Sequence, residues 1–147
     1  MTEAPFRVQP VLDDENRFFW TSGEDGWLRI LRCSSCGYFL HPPLPRCPEC
    51  GGRDVAPELV SGRATVHSFT VNHHSWDGGT EPYAIGLVEL AEQTGMRLTT
   101  NIVGCSPDEV RIGMAVRVVF EQRDLVWFPL FEPAADDGDD GDDGDQA

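Results

Sequence analysis

The chain has 147 residues, 40% of them hydrophobic, and a formal net charge of −14. That length allows one ordinary domain or two small units sharing a core, and no apolar run approaches the roughly 18 residues a membrane helix needs. Met1-Thr-Glu-Ala-Pro5 lacks the basic and apolar regions of a signal peptide, and two Cys-x-x-Cys pairs with one cysteine left over suit a reducing compartment, so a cytoplasmic protein is expected.

Taken in chain order, residues 1–12 show no strong periodicity. Asp13-Asp-Glu-Asn-Arg-Phe-Phe-Trp20 reads as a short helix, with acids in the first turn where the helix dipole favours them and aromatics after. Gly23-Glu-Asp-Gly26 breaks the chain, and Trp27–Arg32 leads into the first cysteine pair. Cys33-x-x-Cys36 and Cys47-x-x-Cys50 then form two knuckles separated by ten residues. Gly37 and Gly51 follow the second cysteine of each pair, where a positive φ lets backbone N–H groups point at sulfur. Four thiolates at this spacing predict a structural zinc ion. They leave no open position for water or substrate, which argues against hydrolytic or Lewis-acid catalysis. An iron-loaded, electron-transferring site is the alternative for such knuckles. The short Pro-rich hairpin between them, centred on Leu40-His-Pro-Pro-Leu44, favours zinc.

After Pro57 the texture becomes β-rich. Strands are expected over 63–71, 83–90, 96–103, 115–120 and 125–131. Between the third and fourth, Ser106-Pro-Asp-Glu109 carries the signature of a capped short helix, with Pro at its first position and Glu at its third. Five short strands with a helix after the third match a small Greek-key barrel of the OB type. The run from Asp136 to Asp145 holds seven acids and no base, which predicts a disordered, solubilising tail. Without it, 18 acids face 11 arginines and no lysine, so the body remains acidic.

Few other residues invite a chemical role. Cys105 has no base or electropositive setting in its local sequence and reads as a small hydrophobe. Phe18, Phe19 and Trp20 are candidates either for a partner surface or for packing on the barrel. His41 and Pro42 sit on the hairpin as candidate contacts. His73, His74 and Trp76 occupy the loop between the first two barrel strands and are candidate partner or substrate contacts. No phosphate-binding glycine loop, metalloprotease motif or nucleophile elbow is present.

A zinc ribbon on an OB barrel first points to nucleic-acid binding. That would need a basic groove and exposed aromatics, and an acidic body with scattered arginines speaks against it. The ordered set Phe19-Trp20, Cys33-Ser-Ser-Cys36-Gly37, His41-Pro-Pro43, Arg46-Cys-Pro-Glu-Cys50-Gly51, Ser61-Gly-Arg-Ala-Thr-Val66, Pro82-Tyr83, Ile102-Val-Gly-Cys105 and Ile112-Gly-Met114 resembles the acyl-CoA-associated OB-fold family with an N-terminal rubredoxin-like zinc ribbon, domain of unknown function 35. Ala64, where many members have glycine, is a minor departure.

The resemblance implies a mainly β fold: residues 1–32 an N-terminal helical segment and lead-in strand, 33–57 the zinc ribbon, 58–133 the five-stranded barrel, and 134–147 the acidic tail. It also implies a non-catalytic accessory subunit of a thiolase-superfamily enzyme acting on acyl-CoA thioesters. Within the family the chain is most similar to the module paired with a lipid-transfer-protein-like aldolase in bacterial steroid degradation. That pair cleaves a steroid side chain, held as a CoA thioester, to propionyl-CoA and a 17-ketosteroid. By that likeness the complex would hold two copies of each subunit, with the thioester at or near their interface. This chain would be a free-standing homologue or a domain excised from a hydratase fusion. Service to a ketothiolase or acyltransferase is the broader alternative.

Overall fold

The computed structural model describes residues 7–74 and 81–134. The acidic tail lies outside them, as does Trp76. Among the described residues no helix is long and apolar enough to cross a membrane.

The N-terminal helix is shorter than its composition predicts. Helix α1 covers only Arg17–Trp20 and has no acid in its first turn. The cause is Asp13, whose carboxylate accepts hydrogen bonds from the backbone N–H groups of Glu15 and Asn16, each at 2.9 Å. A side chain that takes those donors for a local turn competes with the helix for them, so regular helix starts later. A 3₁₀ turn, Ser22–Asp25, follows.

Strands β1 (Arg29–Cys33), β2 (Phe39–Leu40) and β3 (Val55–Leu59) form a small antiparallel sheet in the order β2-β1-β3. Only its lead-in strand is visible in the sequence. Strand β2 is two residues long, and β3 is almost wholly exposed, so neither carries a hydrophobic period to detect. Pro57 sits within β3, an edge strand, where the missing N–H costs no ladder bond to a further strand.

The second unit is a closed five-stranded barrel. Strands β4 (Arg63–Asn72), β5 (Tyr83–Leu90), β6 (Arg97–Ile102), β7 (Ala115–Arg123) and β8 (Val126–Pro133) run in the order β4-β5-β6-β8-β7, with β7 returning to β4. The pairs are antiparallel except β6 with β8, which run parallel through Ile102 and Phe131. This is the OB arrangement that the strand count predicted. A register shift between Val66 and Ser68 leaves His67 as an extra, exposed residue of β4. Such a bulge bends a strand and increases its twist; here it lets the first part of β4 pair with both β5 and β7. The short helix after β6 is a single 3₁₀ turn, Pro107–Glu109, and the capping box at Ser106 and Glu109 is present.

In β6, Thr100 occupies a position whose neighbours in the pattern are apolar, and it is buried. Its hydroxyl donates to the Pro129 carbonyl at 2.9 Å, which removes the penalty of burying an unpaired polar group.

The two units are not separate. Phe19, Leu28, Ile30 and Phe39 from the N-terminal half join Val66, Val88, Leu98 and Phe131 of the barrel in one buried cluster. A side-chain clamp reinforces the junction. Gln93, in the β5–β6 hairpin, accepts from the Phe39 N–H at 2.9 Å and donates to the Phe39 carbonyl at 3.0 Å. Its neighbour Glu92 accepts from the Ser61 N–H at 2.8 Å. At the other side of the barrel the guanidinium of Arg7 ion-pairs with Glu121 and donates to Asn101 at 2.7 Å.

Each hydrogen bond of the Gln93 pair is worth about 1 kcal/mol net. The Gln93→Ala chain is therefore expected to lose about 1–2 kcal/mol, with the Phe39 amide exchanging roughly tenfold faster or more. Hydrogen exchange of the intact chain checks it; unchanged protection at Phe39 would show that packing alone holds the ribbon in place.

Candidate metal centre

Both knuckles are built the same way. Gly37 N–H donates to the Cys33 carbonyl at 2.8 Å, and Gly51 N–H to the Cys47 carbonyl at 2.9 Å. Each turn then exits through a left-handed glycine, with φ of 82° at Gly37 and 77° at Gly51. The backbone N–H groups of Glu49 and Gly52 approach the sulfurs of Cys47 and Cys50, each at 3.4 Å. Strand β1 delivers Cys33 to the cluster. Arg32 braces the first knuckle by donating to the Gly37 carbonyl at 2.9 Å and lying 4.6 Å over the Phe39 ring.

The four sulfurs of Cys33, Cys36, Cys47 and Cys50 all lie within 4.8 Å of one another. The Cys33–Cys50 and Cys36–Cys47 separations are both 3.6 Å. A tetrahedron with Zn–S bonds of about 2.3 Å has S–S edges of about 3.8 Å, so the set fits zinc in geometry and in donor type. The proton distribution fits as well. The Cys36 N–H, bonding to sulfur, holds Cys33 down to about 7 against the opposing effect of desolvation. Cys36 is pushed up to about 12, because desolvation and the neighbouring sulfurs outweigh the Tyr38 N–H that favours its thiolate. Four adjacent thiolates cannot all ionise alone. A divalent cation that displaces the remaining protons resolves the conflict. Zinc is a structural ion in this protein, with four protein ligands and no position for a reactant.

The other candidate residues are scattered. Phe19 is buried, with its ring 5.0 Å from Trp20 and 4.9 Å from His41. Trp20 is half-buried and meets the edge of Phe128 at 5.7 Å, and Phe18 packs between the barrel core and the apolar cluster around Cys33 and Cys47. His73 and His74 are exposed just beyond the end of β4, 23 or more positions after Cys50 in sequence. Pro42 and Leu44 are exposed on the hairpin, next to the half-buried His41. Cys105 is half-buried against the core, and desolvation followed by the nearby Glu109 charge raises its thiol, the opposite of what a nucleophile needs. Sequence reasoning missed Gln93 and Arg7: both act through long-range contacts that leave no local pattern.

His41 carries a pH signature. Burial pushes its imidazole down to about 4 from an ordinary 6.5. The folded state therefore holds the ring neutral, its full contribution is present above pH 6.5, and it is lost as pH falls from 6.5 towards 4. At 1.36 kcal/mol per unit, the loss reaches about 2 kcal/mol by pH 5. Denaturant titrations of wild type and His41→Phe at pH 7.5 and 5.0 are expected to show the variant gaining that amount on the wild type at the lower pH. Acid effects on the zinc site are common to both chains and cancel; a difference independent of pH would overturn the assignment.

Residues 20–56 match the family model of the ChsH2 rubredoxin-like zinc ribbon domain, and residues 58–121 that of the ChsH2 C-terminal OB-fold domain. A DUF35 domain-containing scaffold protein of Methanothermobacter thermautotrophicus is 37% identical over 94 residues, spanning 62% of this chain and 69% of the relative. The chain belongs to the DUF35 family.

Two longer relatives are a probable enoyl-CoA hydratase alpha subunit of Thermomonospora curvata, 38% identical over 87% of this chain, and the 3-oxo-4,17-pregnadiene-20-carboxyl-CoA hydratase alpha subunit of Mycobacterium tuberculosis, 36% identical over 77%. The match spans only 40% and 36% of their respective lengths. Among solved structures, a chain of the Ltp2-ChsH2(DUF35) aldolase superposes with a TM-score of 0.77 at 37% identity, covering 86% of this DUF35 chain and 100% of that one.

Proposed function

We propose that this DUF35 protein is a non-catalytic accessory subunit that docks on a thiolase-like, lipid-transfer-protein-like aldolase, and that the partner carries out the carbon–carbon cleavage of an acyl-CoA thioester. The observation that carries this reading is the likeness, over the whole of that chain, to one component of the Ltp2-ChsH2(DUF35) aldolase. Two features of the fold agree with it. The cluster of four thiolates offers no open coordination position, and the described residues hold no nucleophile paired with a base.

The substrate we favour is a steroid side chain held as a CoA thioester, cleaved to propionyl-CoA and a 17-ketosteroid. The mycobacterial relative is named for a pregnadiene carboxyl-CoA, which supports that choice. In this reading the exposed Pro42 and Leu44 of the Pro-rich hairpin form part of the docking edge, in a complex with two copies of each subunit. The archaeal relatives described as scaffold proteins favour a second reading, in which the same module supports a ketothiolase or an acyltransferase.

Co-expression with a thiolase-like, lipid-transfer-protein-like aldolase subunit, followed by gel filtration and a thioester-cleavage assay, tests the proposal. The two chains are expected to co-elute, and partner activity to fall at least tenfold without this subunit. Leu44→Asp, which changes an exposed side chain, is expected to weaken co-elution while leaving the thermal melt in place. Independent elution with partner activity unaffected would overturn the reading.

A further inference from the structure

A cavity of about 360 Å³ opens where the ribbon meets the barrel, lined by Trp27, Leu28, Ser61, Arg63, Arg117 and Ala134 among others. Its chemistry differs from that of the surrounding surface. Arg63 on β4 and Arg117 on β7 are direct cross-strand partners, and like charges so placed repel each other. Glu132 relieves only one of them: its carboxylate holds Arg117 at 2.9 Å, whereas Arg63 makes no ion pair among the described residues. Among the described residues, the two arginines side by side at this cavity wall share a single carboxylate.

The aromatic wall is equally deliberate. Trp27 is 51% exposed, yet its backbone is held from both sides. The buried Ser22 hydroxyl donates to its carbonyl at 2.6 Å, and the Asp25 carboxylate accepts from its N–H at 3.2 Å. Arg29 fixes Asp25 in turn, at 2.6 Å. An indole on a pinned backbone, facing an open cavity, is a preformed stacking surface, and base stacking on an aromatic is tolerant of which base is presented.

From this juxtaposition we infer that the cavity is a binding site for a phosphorylated nucleotide, with the phosphates on Arg63 and Arg117, the Ser61 hydroxyl within the same wall, and the base against Trp27. The volume falls in the range of small-molecule pockets. Arginine supplies the forked donors that phosphate oxygens accept. The overall negative charge of the chain does not forbid it, because charges more than about 8 Å away are largely screened at physiological salt. Two sources share this chemistry: a free nucleotide, and the nucleotide end of a CoA thioester. The second rests on the proposed function above; the first does not.

The test uses the full-length zinc-loaded chain without any partner, so its outcome is separate from partner docking. Calorimetric titrations with ADP, coenzyme A, 3′-dephospho-CoA, inorganic pyrophosphate and adenosine distinguish the parts. ADP and coenzyme A are expected to bind, pyrophosphate at least tenfold more weakly, and adenosine not at all. Coenzyme A binding several-fold tighter than both ADP and 3′-dephospho-CoA identifies the coenzyme as the source; equal affinities identify a general nucleotide site. Arg63→Gln is expected to weaken binding about tenfold and Trp27→Leu by a similar factor. Glu132→Gln, which frees Arg117, is expected to strengthen it several-fold. Arg111→Gln, an exposed arginine outside the cavity, is expected to change nothing. No heat with ADP or coenzyme A at millimolar concentration, or affinities indifferent to Arg63 and Glu132, would overturn the inference.

Discussion

Replacing Cys47 with serine is expected to unfold the whole described chain, not the ribbon alone. Cys47 is almost fully buried and packs with Leu31, Cys33 and Leu40 in the small cluster beneath the metal site. Structural zinc in such sites contributes on the order of 10 kcal/mol of folding free energy, comparable to the roughly 5–15 kcal/mol total of an ordinary domain. The ribbon has few apolar residues of its own with which to replace that term. Its better ones, Leu28, Ile30 and Phe39, are spent in the barrel core, so a ribbon that melts opens the barrel to water. Circular dichroism melts of wild type, chelator-treated protein and Cys47→Ser, alongside zinc content by mass spectrometry, are expected to show stoichiometric zinc and one transition in the wild type. The other two samples are expected to lack native signal at 37 °C. A folded, partner-binding Cys47→Ser chain that had lost turnover would instead require the metal to act in catalysis.

Gly62→Ala is expected to cost about 3 kcal/mol or more. Gly62 lies between the end of β3 and the start of β4, where the chain passes from ribbon to barrel. Its φ is 82°, a left-handed value that side-chain-bearing residues rarely adopt, and an added Cβ would stand 2.5 Å from Cγ1 of Val118. Backbone strain of this kind costs about 1–3 kcal/mol, and overpacking a similar amount. The neighbour cannot withdraw freely, because the Val118 N–H donates to the Gly62 carbonyl at 2.9 Å. Gly26→Ala is the useful comparison. It has φ of 87° but nothing within 4 Å of the added carbon, so it should cost the strain alone. Equal losses in urea titrations of the two variants would show that the Val118 contact relaxes without penalty.

The sequence was most legible where one face of an element meets a core. The five barrel strands appear nearly at their full extents, because Ala84, Gly86, Val88 and Leu90 alternate inward along β5 and Met96, Leu98 and Ile102 do so around β6. The cysteine spacing announced the metal, since only two knuckles brought close together can close a tetrahedron. The turn at Ser106 was legible because a capping box is a local device. What escaped was set by distance or by competition. Gln93 is polar and sits in a hairpin, and nothing near it in sequence shows that Phe39 needs its amide. Arg7 meets Glu121 across 114 positions. The N-terminal helix was overextended because Asp13 could serve equally as a first-turn acid or as a turn-former, and the second role won. The Arg63–Arg117 pair follows from strand register, which the order of the strands does not specify residue by residue.

The Gln93 clamp also decides how this molecule can meet other chains. By filling the Phe39 N–H and carbonyl on the outer side of β2, one side chain imitates a neighbouring strand and closes that edge of the ribbon. The opposite edge, β3, is interrupted by Pro57 and charged at Glu58. Exposed edges are where proteins recruit foreign strands, whether in signalling or in aggregation. Neither edge of the ribbon sheet offers such a template, so association through the ribbon must proceed by side chains and loops.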